Sequence, residues 1–274
     1  MKSSGTAIAL ARRIEHGDAR GVAESIAALA VLRPDIGATC EPIAGGLAAF
    51  GGLTSPLSRT HALGMQGPVS DHDLDRLEAF YRERGLGTHC EICPYADPTM
   101  IQALGRRGYR LVGFINLFVR EIDNLRDLMA PGKNPAGLQV RRIDPSEGVA
   151  WSRLIGQGFG EADPSPATVD IGLSQLGRDH VACFQAEIDG VAIGGGVVAC
   201  LDGIAYLYAG STLPQHRERG AQAALIAARL AFGRDAGCTI ASVGSTAGSP
   251  SQRNIERAGF QVAYTRTSFA LEHT

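Results

Sequence analysis

The sequence predicts a mixed α/β protein made of two similar domains in tandem, each a mostly antiparallel sheet flanked by helices. Three observations predict it. Strand-like and helix-like periodicities alternate along the chain. A stretch rich in Pro and Gly, 130–137, falls near the midpoint of the 274 residues and denies the backbone both helix donors and strand pairing. The two halves also share a pattern at an offset of 151 residues. At that offset Gly108-Tyr109 meets Gly259-Phe260, Leu104 meets Ile255, Arg106 meets Arg257, Phe118 meets Phe269 and Glu121 meets Glu272. The expected division is a first domain over 1–130, a linker over 131–137 and a second domain over 138–274.

In the first half a helix is expected near 20–32, with strand-like pieces at 47–50 and 60–65. A second helix runs from a Ser70 or Asp71 cap to about Arg84, because Leu74, Leu77 and Tyr81 recur at helical spacing after it. A strand follows and ends at Cys93-Pro94. The second half opens with a strand at 138–143 and a helix at 149–159. Strands at 182–188 and 192–200 are joined by Asp189-Gly190, the strongest hairpin signal in the chain. A strand at 204–212 then runs through Pro214 into a helix in which Ala221, Leu225, Ala228 and Phe232 form one apolar stripe.

Composition excludes several classes. Hydrophobic residues at 45% and charged residues at 20% fit a globular protein. Glycine, 35 of 274 residues, is about twice its usual share of about 7%, which signals turns and close backbone approaches. A net charge of −2 gives no chain-wide attraction for nucleic acid. The longest apolar run, 190–201, is well short of the roughly 20 residues of a membrane span. The N-terminus is recharged by Arg12-Arg13 too soon for a secretion signal, so a cytoplasmic protein is expected, bound neither to membrane nor to nucleic acid. The six cysteines are scattered, which suggests free thiols. Cys90-Glu-Ile-Cys93 has half a zinc spacing without a second pair, so no metal is expected.

The segment that carries chemistry is Leu213-Pro214-Gln215-His216-Arg217-Glu218-Arg219-Gly220-Ala221-Gln222-Ala223, where a strand ends and a helix begins. Such a turn presents unpaired amides at the positive end of a helix dipole and suits a pyrophosphate. Gly220 lets a phosphate approach the backbone, and Arg217 and Arg219 bring positive charge to the mouth of the helix.

This segment resembles the acyl-CoA loop of the GCN5-related N-acetyltransferases (GNATs), whose pattern is Gln or Arg, two residues, Gly, one residue, then Gly or Ala. Here it reads Arg217-x-x-Gly220-x-Gln222, and Gln222 departs from the small last residue. The likeness extends over the second half, through the Gly190 hairpin, the strand ending at Thr212 and the stretch Ser251-Gln252-Arg253-Asn254-Ile255 before the Gly259-Phe260 corner. It implies two tandem GNAT-like domains with one acetyl-CoA site, in the second. Gly210, Ser211 and Thr212 would pair with the pantetheine arm; Arg217, Glu218, Arg219, Gly220, Ala221, Gln222 and Ala223 would wrap the pyrophosphate; Ser251 and Asn254 would face the cofactor from the next helix.

The implied reaction is transfer of an acetyl group from acetyl-CoA to an amine of a small molecule or peptide terminus. Many members place a Tyr, as acid for the leaving thiolate, four residues before the Gly of the Gly-Phe corner, where this chain has Ile255. Tyr208, its neighbour Tyr206, or Tyr264 are the replacements to test, with Tyr208 and Tyr264 preferred. Glu161, Asp163 and His180 lie in or beside the loops where a base would sit. The first half has Gly67-Pro68-Val69-Ser70-Asp71-His72-Asp73 in place of the loop, and Asp71 and Asp73 would repel a phosphate. It resembles a degenerate domain, as in the tandem arrangements of mycothiol synthase and N-myristoyltransferase. The rival class is a non-catalytic acyl-CoA-binding module, favoured by Ile255 and Gln222. Monomer and homodimer both stay open.

Overall fold

The computed structural model describes residues 4–123 and 137–272. In chain order the elements are α1 (Ser4–Leu32), β1 (Thr39–Ile43), β2 (Gly46–Phe50), β3 (Thr60–His61), α2 (Asp71–Arg82), β4 (Thr88–Ile92), α3 (Pro98–Arg106) and β5 (Arg110–Glu121). They continue with β6 (Leu138–Arg142), α4 (Gly148–Phe159), α5 (Pro166–Leu173), β7 (Val181–Ile188), β8 (Val191–Leu201) and β9 (Ile204–Thr212). The last are α6 (Ala221–Asp235), β10 (Ile240–Thr246), α7 (Pro250–Arg257) and β11 (Gln261–Leu271).

The chain forms two compact units: Met1–Leu117 with Ser245–Ala247 and Val262–Thr274, and Phe118–Gly244 with Gly248–Gln261. The linker expected at 131–137 lies outside the described residues except for Gly137. The described units part at Leu117/Phe118, and the last strand belongs with the first unit. The physical reason is a full antiparallel ladder between β11 and β4, from Thr267↔Ile92 to Leu271↔Thr88.

In the first unit the strand order is β1-β2-β3-β4-β11-β5. Its core gathers Leu74, Leu77, Phe80 and Tyr81 of α2 with Cys90 and Ile92 of β4 and Met100, Ala103 and Leu104 of α3. Ser70 caps α2 by accepting from Asp73 N while the Asp73 carboxylate accepts from Ser70 N, a capping box that starts the helix where the sequence signals it. The strand expected over 60–65 is only Thr60–His61, because Ala62 turns to φ +57° and Gly64 N donates to Ala44 O instead. The helix expected at 20–32 begins far earlier, at Ser4.

In the second unit the order is β10-β9-β8-β7-β6, antiparallel from β9 to β6 and parallel between β10 and β9. Asp189 (φ +50°) and Gly190 (φ +79°) make the two-residue turn between β7 and β8. Helices cover both faces of this sheet, and two adjacent glycines of β8 show how. A Cβ on Gly195 would strike Trp151 and Ile155 of α4, whereas one on Gly196 would strike the Arg229 guanidinium of α6. Successive strand residues face opposite sides, so α4 and α6 lie on opposite faces. The core on the α6 side joins Leu225, Ile226 and Leu230 with Phe118, Ile122, Ile255 and Phe260.

Two of the pairs read at the offset of 151 residues, Leu104/Ile255 and Gly108/Gly259, fall at like places near the ends of α3 and α7. Leu104 in α3 and Ile255 in α7 each lie two residues before the helix ends, both buried, and each helix is followed by a glycine at positive φ, Gly108 (+78°) and Gly259 (+80°).

Candidate functional site

The site is built where β9 leaves β10. Their parallel ladder runs from Ile204↔Ile240 to Leu207↔Val243, and beyond it β9 continues to Thr212. On its other side β9 stays paired to β8, through Val197↔Tyr208, Gly195↔Ser211 and Gly194↔Thr212. Between these pairs β8 advances by two residues and β9 by three, so β9 carries a bulge at Ala209–Gly210 with Ala209 at φ +50°. A splayed strand with a bulge leaves backbone donors and acceptors for a ligand rather than a neighbouring strand.

Below the splay the chain turns through Pro214–His216 into α6. Glu218 (φ +64°) and Gly220 (φ +78°) set the path of this turn, and Gly220 is the N-cap of α6 without any side-chain cap. Four helix starts, those of α2, α3, α5 and α7, are closed by Ser70, Asp97, Ser165 and Ser249, whereas α4, entered from the turn at Pro145–Glu147, like α6 has no side-chain cap. The first turn of α6 thus has amides that no capping side chain takes up.

The residues expected to hold the cofactor are largely brought together here. Gly210, Ser211 and Thr212 lie on the splayed strand, and Ala221, Gln222 and Ala223 form the first turn of α6. Ser211 is buried with its Oγ donating to Ile155 O at 3.0 Å, so its side chain anchors the strand to α4 and leaves only its backbone for the groove. Gln222 Nε2 donates to Thr212 Oγ1 at 2.8 Å, so the side chain that departs from the family pattern bridges α6 to the end of β9. Arg217, exposed, donates to Thr212 O and Gly158 O, while Glu218 and Arg219 are exposed on the loop. On α7, Ser251 is exposed and Asn254 accepts from Arg257 at 3.1 Å.

The two candidate tyrosines stand in different surroundings. Tyr208, on β9 at the bulge, donates its hydroxyl to Gln175 Oε1 at 2.9 Å. Arg178 Nη2 donates to the same oxygen at 2.6 Å, and Gln175 Nε2 donates to Ile171 O at 3.1 Å. Gln175 also lines a small cavity of about 140 Å³ with Arg142, Asp144 and Val181. Tyr264 lies in the first unit, buried, with its hydroxyl donating to Glu15 at 2.7 Å; burial, with the Glu15 charge beside it, raises its pKa far above the usual phenol range. Of the loop carboxylates, Glu161 accepts from Thr168 Oγ1 and Ser165 N at the start of α5, and Asp163 pairs with Arg153 at 3.3 Å. Ile255 is 3% exposed in the core.

Two residues escaped the sequence. Gln175 sits just past the end of α5, a helix whose weak amphipathicity gives no periodic signal. Arg229 is buried on α6, and its signal was a cation four residues after Leu225 on the apolar side of a helix.

In the first unit the corresponding places are closed. Asp97 N donates to Gly64 O at 2.8 Å across the gap after β3 and β4, and the α2 start is filled by Ser70 and Asp73. Asp71 pairs with Arg106 and Arg107. Among the described residues no group of His, Cys, Asp and Glu is placed to hold a metal ion.

No family model matches the chain, and a search of curated proteins finds no match either. Solved structures do. A GCN5-related N-acetyltransferase from Kribbella flavida superposes with a TM-score of 0.63 at 20% identity, over 91% of this chain and 96% of that one. The chain has the GNAT fold. A tandem GNAT protein from the clavulanic acid biosynthesis pathway matches 83% of this chain and 78% of its own, at TM-score 0.60 and 15% identity. A GCN5-related N-acetyltransferase from Sphaerobacter thermophilus matches 68% of this chain and 60% of its own, at TM-score 0.56 and 18% identity. The mixed α/β class and the likeness to GNATs expected from the sequence are therefore those of the structure.

Proposed function

We propose that the protein is a cytoplasmic N-acetyltransferase of tandem GNAT type, which moves the acetyl group of acetyl-CoA to an amine of a small molecule or peptide terminus. The observation that carries this reading is the splay of β9 from β10 directly above an α6 start that no side chain caps. The backbone of Gly210–Thr212 would pair with the amides of the pantetheine arm. The amides of Gly220–Ala223, with Arg217 and Arg219 at the mouth, would hold the pyrophosphate. The amine nitrogen attacks the thioester carbonyl carbon, the carbonyl oxygen becomes an oxyanion held by amides of the bulge, and the C–S bond then breaks. The thiolate leaves and takes up a proton, and the acetylated amine loses one. Tyr208 is the acid we assign, because it stands on the bulge strand, whereas Tyr264 lies on β11 in the first unit, buried against Glu15. The first unit is read as a GNAT-like domain without a cofactor loop, since its own gap is closed by the Asp97–Gly64 hydrogen bond.

The test is calorimetric titration with acetyl-CoA, with Gly220→Glu as control. Saturable binding that the variant loses is the expected result, because a carboxylate side chain at φ +78° would be strained and would stand on the phosphate path. Equal affinities would remove the site from this loop. One observation favours a second reading, an acyl-CoA-binding module without turnover: the position of the usual acid is the core residue Ile255. Binding without thiol release across a panel of amines would select it.

A further inference from the structure

Arg229 is the one charged side chain buried among Leu225, Ile226 and Leu230 of α6, at 3% exposed. Its three hydrogen bonds all go to backbone carbonyls. Nε donates to Leu225 O at 3.0 Å, and Nη1 donates to Val197 O and to Tyr208 O, each at 3.3 Å. Val197 and Tyr208 are the pair at which the β8–β9 register shifts, so the guanidinium grips the bulge from the α6 face. Room for it comes from glycine. A Cβ on Gly196 would lie 2.8 Å from Nη1, and one on Gly210 would lie 3.3 Å from Nη2. Among the described residues Arg229 has no acidic partner. Burial alone pushes its pKa down to about 10, which still leaves it charged at neutral pH.

A buried cation held only by dipoles is costly, and an apolar side chain of similar volume would pack the same space at less cost. We propose that Arg229 is a positioning residue for acyl transfer: it fixes the Ala209–Gly210 bulge from inside the core and sets an unbalanced positive charge behind the strand on which the thioester would rest. The inference depends on the acetyl-CoA site proposed above. Both anions of the reaction, the carbonyl oxyanion and the departing thiolate, form at that strand, where a charge in a water-poor surrounding acts strongly. The chain would thus use a fixed cation to stabilise the leaving group where the usual tyrosine is replaced by Ile255. Around the guanidinium β8 brings Gly196 and Val197, and α6 brings Gln222 and Leu225, none of which titrates; Tyr208 of β9 does.

The experiment measures the thiol pKa of coenzyme A bound to the protein, by ultraviolet thiolate absorbance as pH is raised. Calorimetry at each pH keeps the site saturated. The wild type is expected to lower the thiol pKa by about one unit or more relative to free coenzyme A. Arg229→Met should return it to the free value and Arg229→Lys should keep part of the shift. A wild-type value equal to that of free coenzyme A overturns the inference even if the variants do not fold, and so does an unchanged shift in Arg229→Met. Failure of the wild type to bind coenzyme A at all overturns the functional reading instead, and this inference with it.

Discussion

The amide of Gln175 has only one orientation that suits its neighbours. Arg178 can only donate and Ile171 O can only accept, so Oε1 faces Arg178 and Nε2 faces the carbonyl. Tyr208 must then donate to Oε1, and the Gln175–Arg178 pair holds the phenol in place beside the bulge. Tyr208→Phe is expected to lower kcat about tenfold to a hundredfold with little change in acetyl-CoA affinity, as read by steady-state kinetics with an amine the wild type accepts. An unchanged kcat would remove Tyr208 from the mechanism. In the first unit Arg266 meets Glu15 at 2.9 Å, Asp18 at 2.9 Å and Glu91 at 3.3 Å. Burial opposes ionisation of Asp18, but the Arg266 charge and the His61 contact outweigh it and hold its carboxyl well below the ordinary 3.8. A depressed carboxyl stabilises the fold above its unfolded pKa and loses that contribution as pH falls toward the folded one. The β11 amides should therefore lose hydrogen-exchange protection as pH drops below about 4. Asp18→Asn, compared at each pH, should be less protected at neutral pH and show a smaller acid loss; parallel curves for the two proteins would refute the linkage.

At the scale of elements, the bulge of β9 is the feature on which the site depends. Ala209 holds φ +50°, a conformation that costs an L-residue roughly 1 kcal/mol and a β-branched residue more. Ala209→Gly should therefore keep acetyl-CoA binding and leave the melting temperature equal or higher, whereas Ala209→Val should lower both; calorimetry and a thermal melt decide. A Val variant with wild-type affinity would mean that the bulge does not shape the groove. Much of this unit was legible in the sequence, because its signals are local: Asp189-Gly190 fixed the hairpin, and Pro214 and Gly220 marked the turn into α6. The bulge was not legible, since nothing in Tyr208-Ala209-Gly210-Ser211 alone says which carbonyls Arg229 will satisfy from another element. The same limit explains the strand expected at 60–65. Its apolar run was real, but the turn at Ala62 is set by a hydrogen bond to Ala44 some 20 residues away in sequence.

At the scale of the whole chain, the path of the backbone decides where it can be cut. A midpoint division leaves Phe118 and Ile122 on the wrong side, although both are fully buried in the core of the second unit and Ile122 N donates to Thr239 O at 3.0 Å. Arg120 of the same stretch donates to Ala258 O at the end of α7. Losing Phe118 and Ile122 costs about 3–5 and about 2–5 kcal/mol respectively, against a total stability of about 5–15 kcal/mol for a typical domain. Residues 262–271 in turn serve the first unit, where β11 covers β4 and Arg266 pairs with Glu15, Asp18 and Glu91, the last shared with Arg59. A fragment 118–261 is therefore expected to melt cooperatively by circular dichroism, and a fragment 138–274 to melt broadly or not to stay in solution, although the second has nearly the same length. Removal of 262–274 from the full chain should leave Glu15, Asp18 and Glu91 facing one another without Arg266, and should expose the β4 edge to aggregation. A fragment 138–274 that melts as sharply as 118–261, at the same temperature, would show that Phe118 and Ile122 are dispensable and that the second unit begins where the composition, rather than the packing, places it.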